Sequence, residues 1–251
     1  MSTACFYLPP ENWGAEPLLQ GQEARHLGQV LRLRAGEEVT LLDGCGRKGR
    51  CSILEVRKQG VRLRLLTEER EHPCPAPAIV ALAFSKAVRR GFFMEKAVEL
   101  GAHAIWLWQG DHSQGKLSSQ LAETCRGQMV AGAKQSGNPW LPDVQCLTGG
   151  VEELVERAAP VEHRILPWEM QEGIPMLTPQ QAGRPGLSLY VIGPEGGFSQ
   201  RELAALRQAA FIPVSLGARI LRCETAATLC LGIHWWAAQQ PGRITAGDSP
   251  A

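Results

Sequence analysis

Three prolines within six residues divide this chain into two parts with different sequence patterns. Residues 72–77 read HPCPAP, and proline continues neither a helix nor a central strand because it lacks an amide hydrogen and has a fixed φ. A chain of 251 residues is long enough for two modest domains. The sequence therefore predicts one domain over residues 1–72, a second over 73–240, and a disordered Gly/Pro/Ser-rich tail over 241–251.

The first part is typical of a small β-barrel. A short helical stretch at residues 23–31 precedes three strand-like runs, EVTLLDG, GRCSILEV and GVRLRLL, which are separated by Gly and Asp-Gly turns. Short strands with turn residues between them indicate an antiparallel all-β unit.

The second part alternates apolar strands with helices. The run AIVALAF is followed by a helix through FFMEKAVEL that Gly101 closes, then by AIWLW, a long helix at residues 117–133, and further strands and helices up to Trp236. Continuous apolar strands separated by helices predict an α/β domain whose mainly parallel sheet is covered on both faces.

The overall charge does not mark a polyanion-binding protein. Lys plus Arg number 26 against 25 Asp plus Glu, a net charge of +1. Residues 25–70 nevertheless hold 11 basic and 6 acidic side chains, which is a candidate phosphate-binding face. The alternative is an ordinary solvated strand face, because Arg62 and Arg64 alternate with apolar residues.

The cysteine pattern favours free thiols over a metal site or a disulfide framework. None of the eight cysteines forms a C-x-x-C pair, so we expect no bound metal and a reducing cytoplasmic location. No apolar run approaches the roughly 20 residues that cross a bilayer, so we expect no membrane partner.

The sequence LSLYVIGPEGGFSQREL, from residue 187, is the most informative segment. A buried strand runs into residues 193–197, and Ser199 with Glu202 forms a capping box that begins a helix. Glycines at such a junction let the backbone approach a ligand closely. The alternative is a tight turn with no ligand, and the spacing matches neither a dinucleotide fingerprint nor a Walker loop.

Two further loops follow apolar strands nearby. Residues 216–226 read LGARILRCETA and lead into a second helix, while residues 165–169 close a strand that begins near His163. Trp168 in the latter loop is either a core residue or the wall of a pocket for a flat ring. Arg222 and Glu224 either act in the site or simply pair with each other at the surface.

The stretch VIGPEGGFSQREL…SLGARILRCETAATL resembles the C-terminal signature of SPOUT-class methyltransferases, and most closely the family that methylates N3 of a uridine in 16S ribosomal RNA. Further matching segments are ARHLGQVLRLRAGE with its LLDG turn, Lys86 to Arg89, EKAVELG and AKQSG. The resemblance implies a PUA-like barrel followed by an α/β domain tied in a trefoil knot around S-adenosylmethionine, which no periodicity could indicate. It also implies a homodimer and, as substrate, uridine 1498 of 16S rRNA in the 30S subunit.

The same resemblance assigns residues to the methyl donor and to RNA. The donor-contacting positions would be Leu166, Pro167, Trp168, Ile192, Gly193, Glu195, Gly196, Gly197, Leu216, Gly217, Ile220, Leu221, Arg222 and Ala226. The RNA-contacting positions would be Arg25, Arg32, Arg89, Lys96, Gln135 and Ser136. This chain departs from the family at residues 112–114, His-Ser-Gln in place of Glu-Arg-Ser, and at residues 134–138, Lys-Gln-Ser-Gly-Asn in place of Glu-Gln-Ser-x-Arg.

Methylation of uracil N3 requires loss of a weakly acidic proton. A nearby cation would stabilise the resulting anion, and Arg222 and Lys86 are the candidates. Glu224 or a water would take the proton, although Glu224 is equally well explained as a carboxylate at a helix N-terminus. The rival functions are a methyltransferase acting on another rRNA or tRNA nucleotide, a non-catalytic RNA-binding protein, and a nucleotide-dependent enzyme.

Overall fold

The computed structural model of the chain describes residues 3–84, 87–168 and 173–239, with the backbone alone for residues 87–89. Lys86, Glu169 and the predicted disordered tail at 241–251 lie outside these residues. The chain divides into two compact units: residues up to Pro73 together with Val130–Leu141, and Cys74–Met129 together with the residues from Pro142 onward.

The first unit contains a five-stranded sheet. Its strands are β1 (Cys5–Tyr7), β2 (Leu18–Leu19), β3 (Glu38–Leu42), β4 (Arg47–Arg57) and β5 (Gly60–Arg70), in the spatial order β1-β3-β4-β5-β2. Strand β1 is parallel to β3, and the remaining pairs are antiparallel. A 3-10 turn spans Pro10–Asn12. The three predicted strands are present, whereas the two short edge strands carry too few residues for a recognisable alternation.

One apolar cluster joins all five strands of this sheet. Phe6, Leu19, Leu41, Ile53 and Leu63, one from each strand, are buried in it. A flat sheet would keep its two edge strands apart, so this sheet is strongly curved. Irregular register at Arg50/Cys51 and Ile53/Glu55 supplies the bend, because bulges increase local twist and curvature. The predicted small barrel takes this form.

The helical stretch predicted at residues 23–31 has two parts. An α-helix, α1 (Gly21–Arg25), continues into a π-helical turn over His26–Val30, and the Leu31 amide donates to the His26 carbonyl at 2.9 Å. Arg32 follows in the left-handed region with φ 56°. Non-glycine residues adopt that conformation at a cost, and such residues are found preferentially at functional sites.

Residues 130–141 complete the first unit although they are distant in sequence. Lys134 forms an ion pair with Glu23 at 2.7 Å, and the Leu141 amide donates to the Gly44 carbonyl at 3.0 Å. Gly46 has φ 90°, and a Cβ there would lie 2.3 Å from the Trp140 ring. Glycine at this position is therefore required both by the backbone and by the indole packed on it.

The second unit contains a six-stranded sheet in which every pair is parallel. The strands are β6 (Ala78–Ala83), β7 (Ala104–Trp108), β8 (Asp143–Leu147), β9 (His163–Pro167), β10 (Ser188–Ile192) and β11 (Ile212–Val214). Their spatial order is β11-β9-β10-β6-β7-β8. The expected α/β fold with a parallel sheet is confirmed, and β6, β7 and β10 are buried along their whole length.

Helices cover both faces of this sheet. They are α2 (Ala87–Glu99), α3 (Leu121–Ser136), α4 (Gly150–Ala158), α5 (Pro179–Ala182), α6 (Gln200–Gln208) and α7 (Cys223–Ala238). Helices α4 and α6 share one core cluster with alternate residues of the strands, while α7 packs against α2, α5, β6 and β10. Among the described residues, no helix is both long and apolar enough to cross a membrane.

Helix α3 begins and ends later than the predicted limits of 117 and 133. The Leu117 amide donates to the Gln109 side chain at 2.7 Å, so it lies outside the helix, and the first helical turn forms only after Ser118. At the other end Gly137, with φ 74°, stops the helix in the way that glycine commonly does.

A buried histidine connects helix α7 to the sheet. His234 Nε2 donates to the Ala76 carbonyl at 2.8 Å, and Tyr190 donates its hydroxyl hydrogen to His234 Nδ1 at 3.1 Å. These two partners fix the neutral tautomer. Burial lowers the pKa of His234 below its usual 6.5, since the charged ring would lose its hydration.

This arrangement predicts a stability loss in mild acid. Below about pH 6.5 the unfolded chain protonates His234 while the folded chain does not, so the free energy of unfolding falls by up to about 1.4 kcal/mol per pH unit. In His234→Gln, whose amide can still donate to Ala76, this contribution disappears. Urea unfolding of both proteins from pH 7.5 to 5 measures the difference, and equal pH dependence in the two would contradict the assignment.

Candidate functional site

A pocket lies where three neighbouring strands of the parallel sheet end. Strands β11, β9 and β10 are adjacent, and the loops that follow them form its walls. Ligands of open parallel sheets bind at the carboxyl ends of strands, because loops and helix N-termini converge there. The three loops singled out in the sequence are thus brought together by the fold.

The loop after β10 is shaped by glycine and fixed by a helix cap. A Cβ on Gly193 would lie 2.9 Å from the Phe198 ring, so only glycine allows this packing. Gly197 has φ 73° and nothing within 4 Å of a Cβ position. Beyond it, the Glu202 amide donates to Ser199 Oγ at 3.2 Å and the Ser199 amide donates to Glu202 Oε2 at 2.7 Å. The predicted capping box is confirmed.

The start of the loop after β11 is bound to both ends of the connection between β9 and α5. The Trp168 amide donates to the Val214 carbonyl at 2.9 Å, just after β9. On the other side, the Ser215 amide donates to the Pro175 carbonyl and the Leu177 amide donates to the Ser215 carbonyl, both at 2.9 Å. Gly217 follows with φ 116°. Backbone hydrogen bonds therefore hold this loop from both sides.

Trp168 serves both purposes that its sequence position allowed. Its ring packs against the core cluster under α4 and α6, and it also lines the pocket. The guanidinium of Arg207 lies 5.1 Å from its ring centroid, a distance typical of cation–π contact. An aromatic wall held this firmly suits a flat ligand group.

The cavity has a volume of about 240 Å³ and a largely apolar and backbone lining. Its charged lining residues are Glu195, Arg219 and Arg222. The remainder of the lining consists of Pro167, Trp168, Ile192, Gly193, Pro194, Gly197, Phe198, Leu216, Gly217, Ile220, Leu221, Cys223 and Ala226.

Two residues assigned to the donor by sequence do not line this cavity. Leu166 is fully buried in strand β9, and Gly196 lies against another loop, since a Cβ there would be 2.8 Å from the His112 Cβ. The other assigned positions do line it. Phe198 lines it as well and lies just beyond the predicted loop at 193–197, and this adjacency was the only sequence signal for it. Pro194, Arg219 and Cys223 also line it; they lie within the predicted loops but were not assigned to the donor.

The three candidates for acid–base chemistry differ in position. Arg222 is exposed on the pocket wall and is the N-cap residue of α7. Glu224 is buried in the first turn of the same helix and is not part of the lining. Lys86 lies outside the described residues. Of the candidates that the structure describes, Arg222 is therefore the one whose side chain can meet a ligand in the cavity.

Five of the eleven basic side chains in the predicted RNA-binding face are opposed by acids. Ion pairs join Arg47 to Asp43 and Glu68, Lys48 to Glu69, Arg50 to Glu38, Arg57 to Glu55, and Arg62 to Glu16 and Glu55. Within the described part of the chain, Arg25, Arg32 and Arg34 form no ion pair, and all three are exposed. Lys58, Arg64 and Arg70 are also exposed and form no ion pair among the described residues. The region around the π-helical turn therefore carries one of two groups of uncompensated positive charge on this face.

The remaining predicted RNA contacts differ in whether their side chains are available to a ligand. Lys96 is held by Glu99 at 2.7 Å and lies over the Phe92 ring, so its charge is already compensated. Gln135 is exposed, and Ser136 is exposed but donates to the Gly132 carbonyl at 2.8 Å. The side chain of Arg89 lies outside the described residues.

Comparison with known proteins gives the class and then the family. An RNA methyltransferase domain family matches residues 72–235, and an RNA methyltransferase PUA domain family matches residues 19–66. Ribosomal RNA small subunit methyltransferase E of Mycobacterium bovis is 34% identical over 229 residues, 87% of this chain and 86% of that protein. The chain therefore belongs to the ribosomal RNA small subunit methyltransferase E family.

Solved structures of related proteins are similar to this chain over nearly its whole length. A Legionella pneumophila methyltransferase in complex with bound S-adenosylmethionine has a TM-score of 0.83 and 27% identity, covering 94% of this chain and 98% of that one. Ribosomal RNA small subunit methyltransferase E of Neisseria gonorrhoeae, bound to S-adenosyl methionine, has a TM-score of 0.78 and 26% identity, covering 92% and 96%. These likenesses extend over both units of the present chain.

Proposed function

We propose that this chain transfers a methyl group from S-adenosylmethionine to N3 of a uridine in 16S rRNA, the position numbered 1498 in the family. The observation that carries the proposal is the pocket at the ends of β9, β10 and β11, built from glycine loops in a chain of this family. The particular nucleotide and atom follow from family membership, and we propose a cytoplasmic location, where the ribosomal subunit is assembled.

The residues present fit such a donor. Gly197 and Gly217 adopt positive φ with open space beside them, so a ligand can approach the backbone of both loops closely. Trp168, Phe198 and Ile220 offer apolar surface for a purine and an aliphatic chain. The exposed carboxylate of Glu195, also on the wall, is suited to an ammonium or sulfonium charge.

When bound, S-adenosylmethionine supplies an electrophilic methyl group and leaves as a neutral thioether. The uracil must lose its N3 proton, and we assign stabilisation of the resulting anion to the Arg222 guanidinium at the pocket wall. We assign acceptance of that proton to a water, because the Glu224 carboxylate proposed from the sequence is buried and does not line the cavity. Lys86 is retained as a second cation. Positioning supplies most of the rate, since the methyl transfer itself needs only in-line alignment.

The target uridine has to be unpaired or flipped out, because N3 lies on the Watson–Crick edge of the base. We propose that the PUA domain holds the surrounding rRNA through the π-helical turn and its neighbours. Arg25, Arg32 and Arg34 lie there without acidic partners among the described residues, and phosphate contacts of this kind supply sequence-independent affinity.

We further propose that the second unit is tied in a trefoil knot. The segment Val214–Ser215 runs between Trp168 and residues 175–177, which are the two ends of the connection leaving β9. From there the chain continues into α7, on the sheet face opposite α6. A chain that enters between the ends of a loop and leaves on the other face has the threading that such a knot needs.

A homodimer formed through the second unit is supported by exposed apolar side chains. Phe92 on α2 and Trp235 and Trp236 on α7 are 51%, 44% and 52% exposed, so the two tryptophans are not simply core residues. Helices α2 and α7 pack against each other. Large aromatic side chains exposed on adjoining helices are typical of a self-association surface.

The function is tested by methyl transfer to purified 30S subunits. We expect one S-adenosylmethionine site per chain and one methyl group per subunit, located on uridine N3. Ala226→Leu places three extra carbons in the cavity and should weaken donor binding at least about tenfold, equal to 1.4 kcal/mol, whereas Ala238→Leu near the end of the same helix should bind normally. Donor binding without methylation, methylation of another nucleotide, or RNA binding without donor binding would identify one of the alternative functions.

The RNA surface is tested by the double variant Arg25→Ala/Arg32→Ala. We expect weaker binding to rRNA and a salt dependence reduced by about one unit of slope per lost phosphate contact. Donor affinity should stay the same. The matched control, Arg50→Ala/Arg57→Ala, removes two arginines that already have acidic partners, so an equal loss in both variants would assign the effect to net charge alone.

The dimer is tested by light scattering at micromolar concentration. The wild type should show twice the chain mass, and Trp236→Glu should show a single chain mass because a charge would be buried in the interface. Ile212→Glu changes an equally exposed apolar residue on the edge strand β11 and should leave the dimer intact. A wild-type protein of single-chain mass would refute the interface.

A further inference from the structure

The loop that follows strand β7 packs on the back of the glycine loop. His112 Nδ1 lies 3.0 Å from the Gly197 carbonyl oxygen. Because that oxygen only accepts, Nδ1 carries the hydrogen and donates it. The His112 Cβ would also lie 2.8 Å from a Cβ on Gly196, so His112 contacts two consecutive residues of the glycine loop across 85 positions of sequence.

The preceding residue, Asp111, is bound to the start of helix α6, directly after the glycine loop. The Asp111 amide donates to Glu202 at 2.8 Å, and the Asp111 carboxylate accepts from Ser199 at 2.5 Å and from Arg201 at 2.6 Å. Arg201 also pairs with Glu152. The bonds from Arg201 and Ser199 hold the pKa of the Asp111 carboxyl below its usual value, so this anchor stays charged at neutral pH. The contacts of its neighbour Asp111 therefore hold His112 against the glycine loop.

We propose that His112 is a positioning residue that holds the Gly197 carbonyl, and with it the 193–199 loop, in the conformation that receives the methyl donor. The inference rests on the proposed function, since it assigns the donor to this pocket.

Gly197 benefits from such a contact because of its conformational freedom. Glycine at positive φ has more accessible conformations than any other residue, and ordering it costs more entropy. A hydrogen bond to its carbonyl fixes the following peptide plane before a ligand arrives. Donor binding then loses less free energy to loop ordering, which is the general advantage of preorganisation.

The test compares His112→Ala, which removes the donor group, with His112→Asn, whose amide nitrogen can take the place of Nδ1. One hydrogen bond of this kind corresponds to about a three- to tenfold change in affinity. We expect His112→Ala to raise the Kd for S-adenosylmethionine by that factor and His112→Asn to restore it to within about twofold of the wild type. His103→Ala, at the opposite end of β7 and also exposed, is the matched control and should bind as the wild type does.

A second readout does not depend on the donor. Amide hydrogen exchange of peptides covering residues 193–199 should be faster in His112→Ala than in the wild type or His112→Asn, while the melting temperature without ligand stays nearly unchanged. Equal exchange in all three proteins would overturn the inference, as would normal donor binding by His112→Ala or failure of His112→Asn to restore it. A wild type that binds no S-adenosylmethionine would refute the proposed function instead, and the exchange data would still decide whether His112 orders the loop.

Discussion

The hydrogen bonds around Val214 and Ser215 are the constraint on which the pocket depends. One short stretch of backbone is bound to Trp168 on one side and to Pro175 and Leu177 on the other. These bonds bring the ends of β9 and β11 into fixed register, and Trp168 reaches the cavity because of them. The glycine loop after β10 then needs only its helix cap and a supporting loop to complete the wall. Substitutions in the cavity alter binding, whereas changes to these backbone bonds would remove the cavity.

Features of the pocket that depend on neighbouring residues could be predicted from the sequence. Features that depend on contacts between residues distant in sequence could not. The capping box at Ser199 and the glycine loops follow from residues adjacent in sequence, so pattern and turn chemistry were sufficient to predict them. His112 meets Gly197 across 85 positions, and no periodicity records such a pair. Gly196 illustrates the same limit, because its place in the motif suggested a ligand contact while the fold turns it toward His112.

The charge pattern of the first unit has a similar explanation. Counting residues 25–70 suggested a broad basic face, but antiparallel pairing of β3, β4 and β5 sets acids beside Lys48, Arg50 and Arg62. Cross-strand neighbours are fixed by register, which a count of charges does not contain. The irregular segment around the π-helical turn keeps its charge, because no partner strand supplies carboxylates there. Among the described residues, Lys58, Arg64 and Arg70 also form no ion pair.

The distribution of the lining residues along the chain has a consequence for biosynthesis. The lining residues run from Pro167 to Ala226, whereas the first unit is complete once Leu141 has been made. Since domains of a growing chain generally fold in order from the N-terminus, the barrel is able to form while every wall of the pocket is still unmade. A chain interrupted between residues 141 and 167 would consequently contain every residue of the first unit and none of the pocket lining. Such a fragment would carry the proposed RNA-binding surface without a site for the methyl donor.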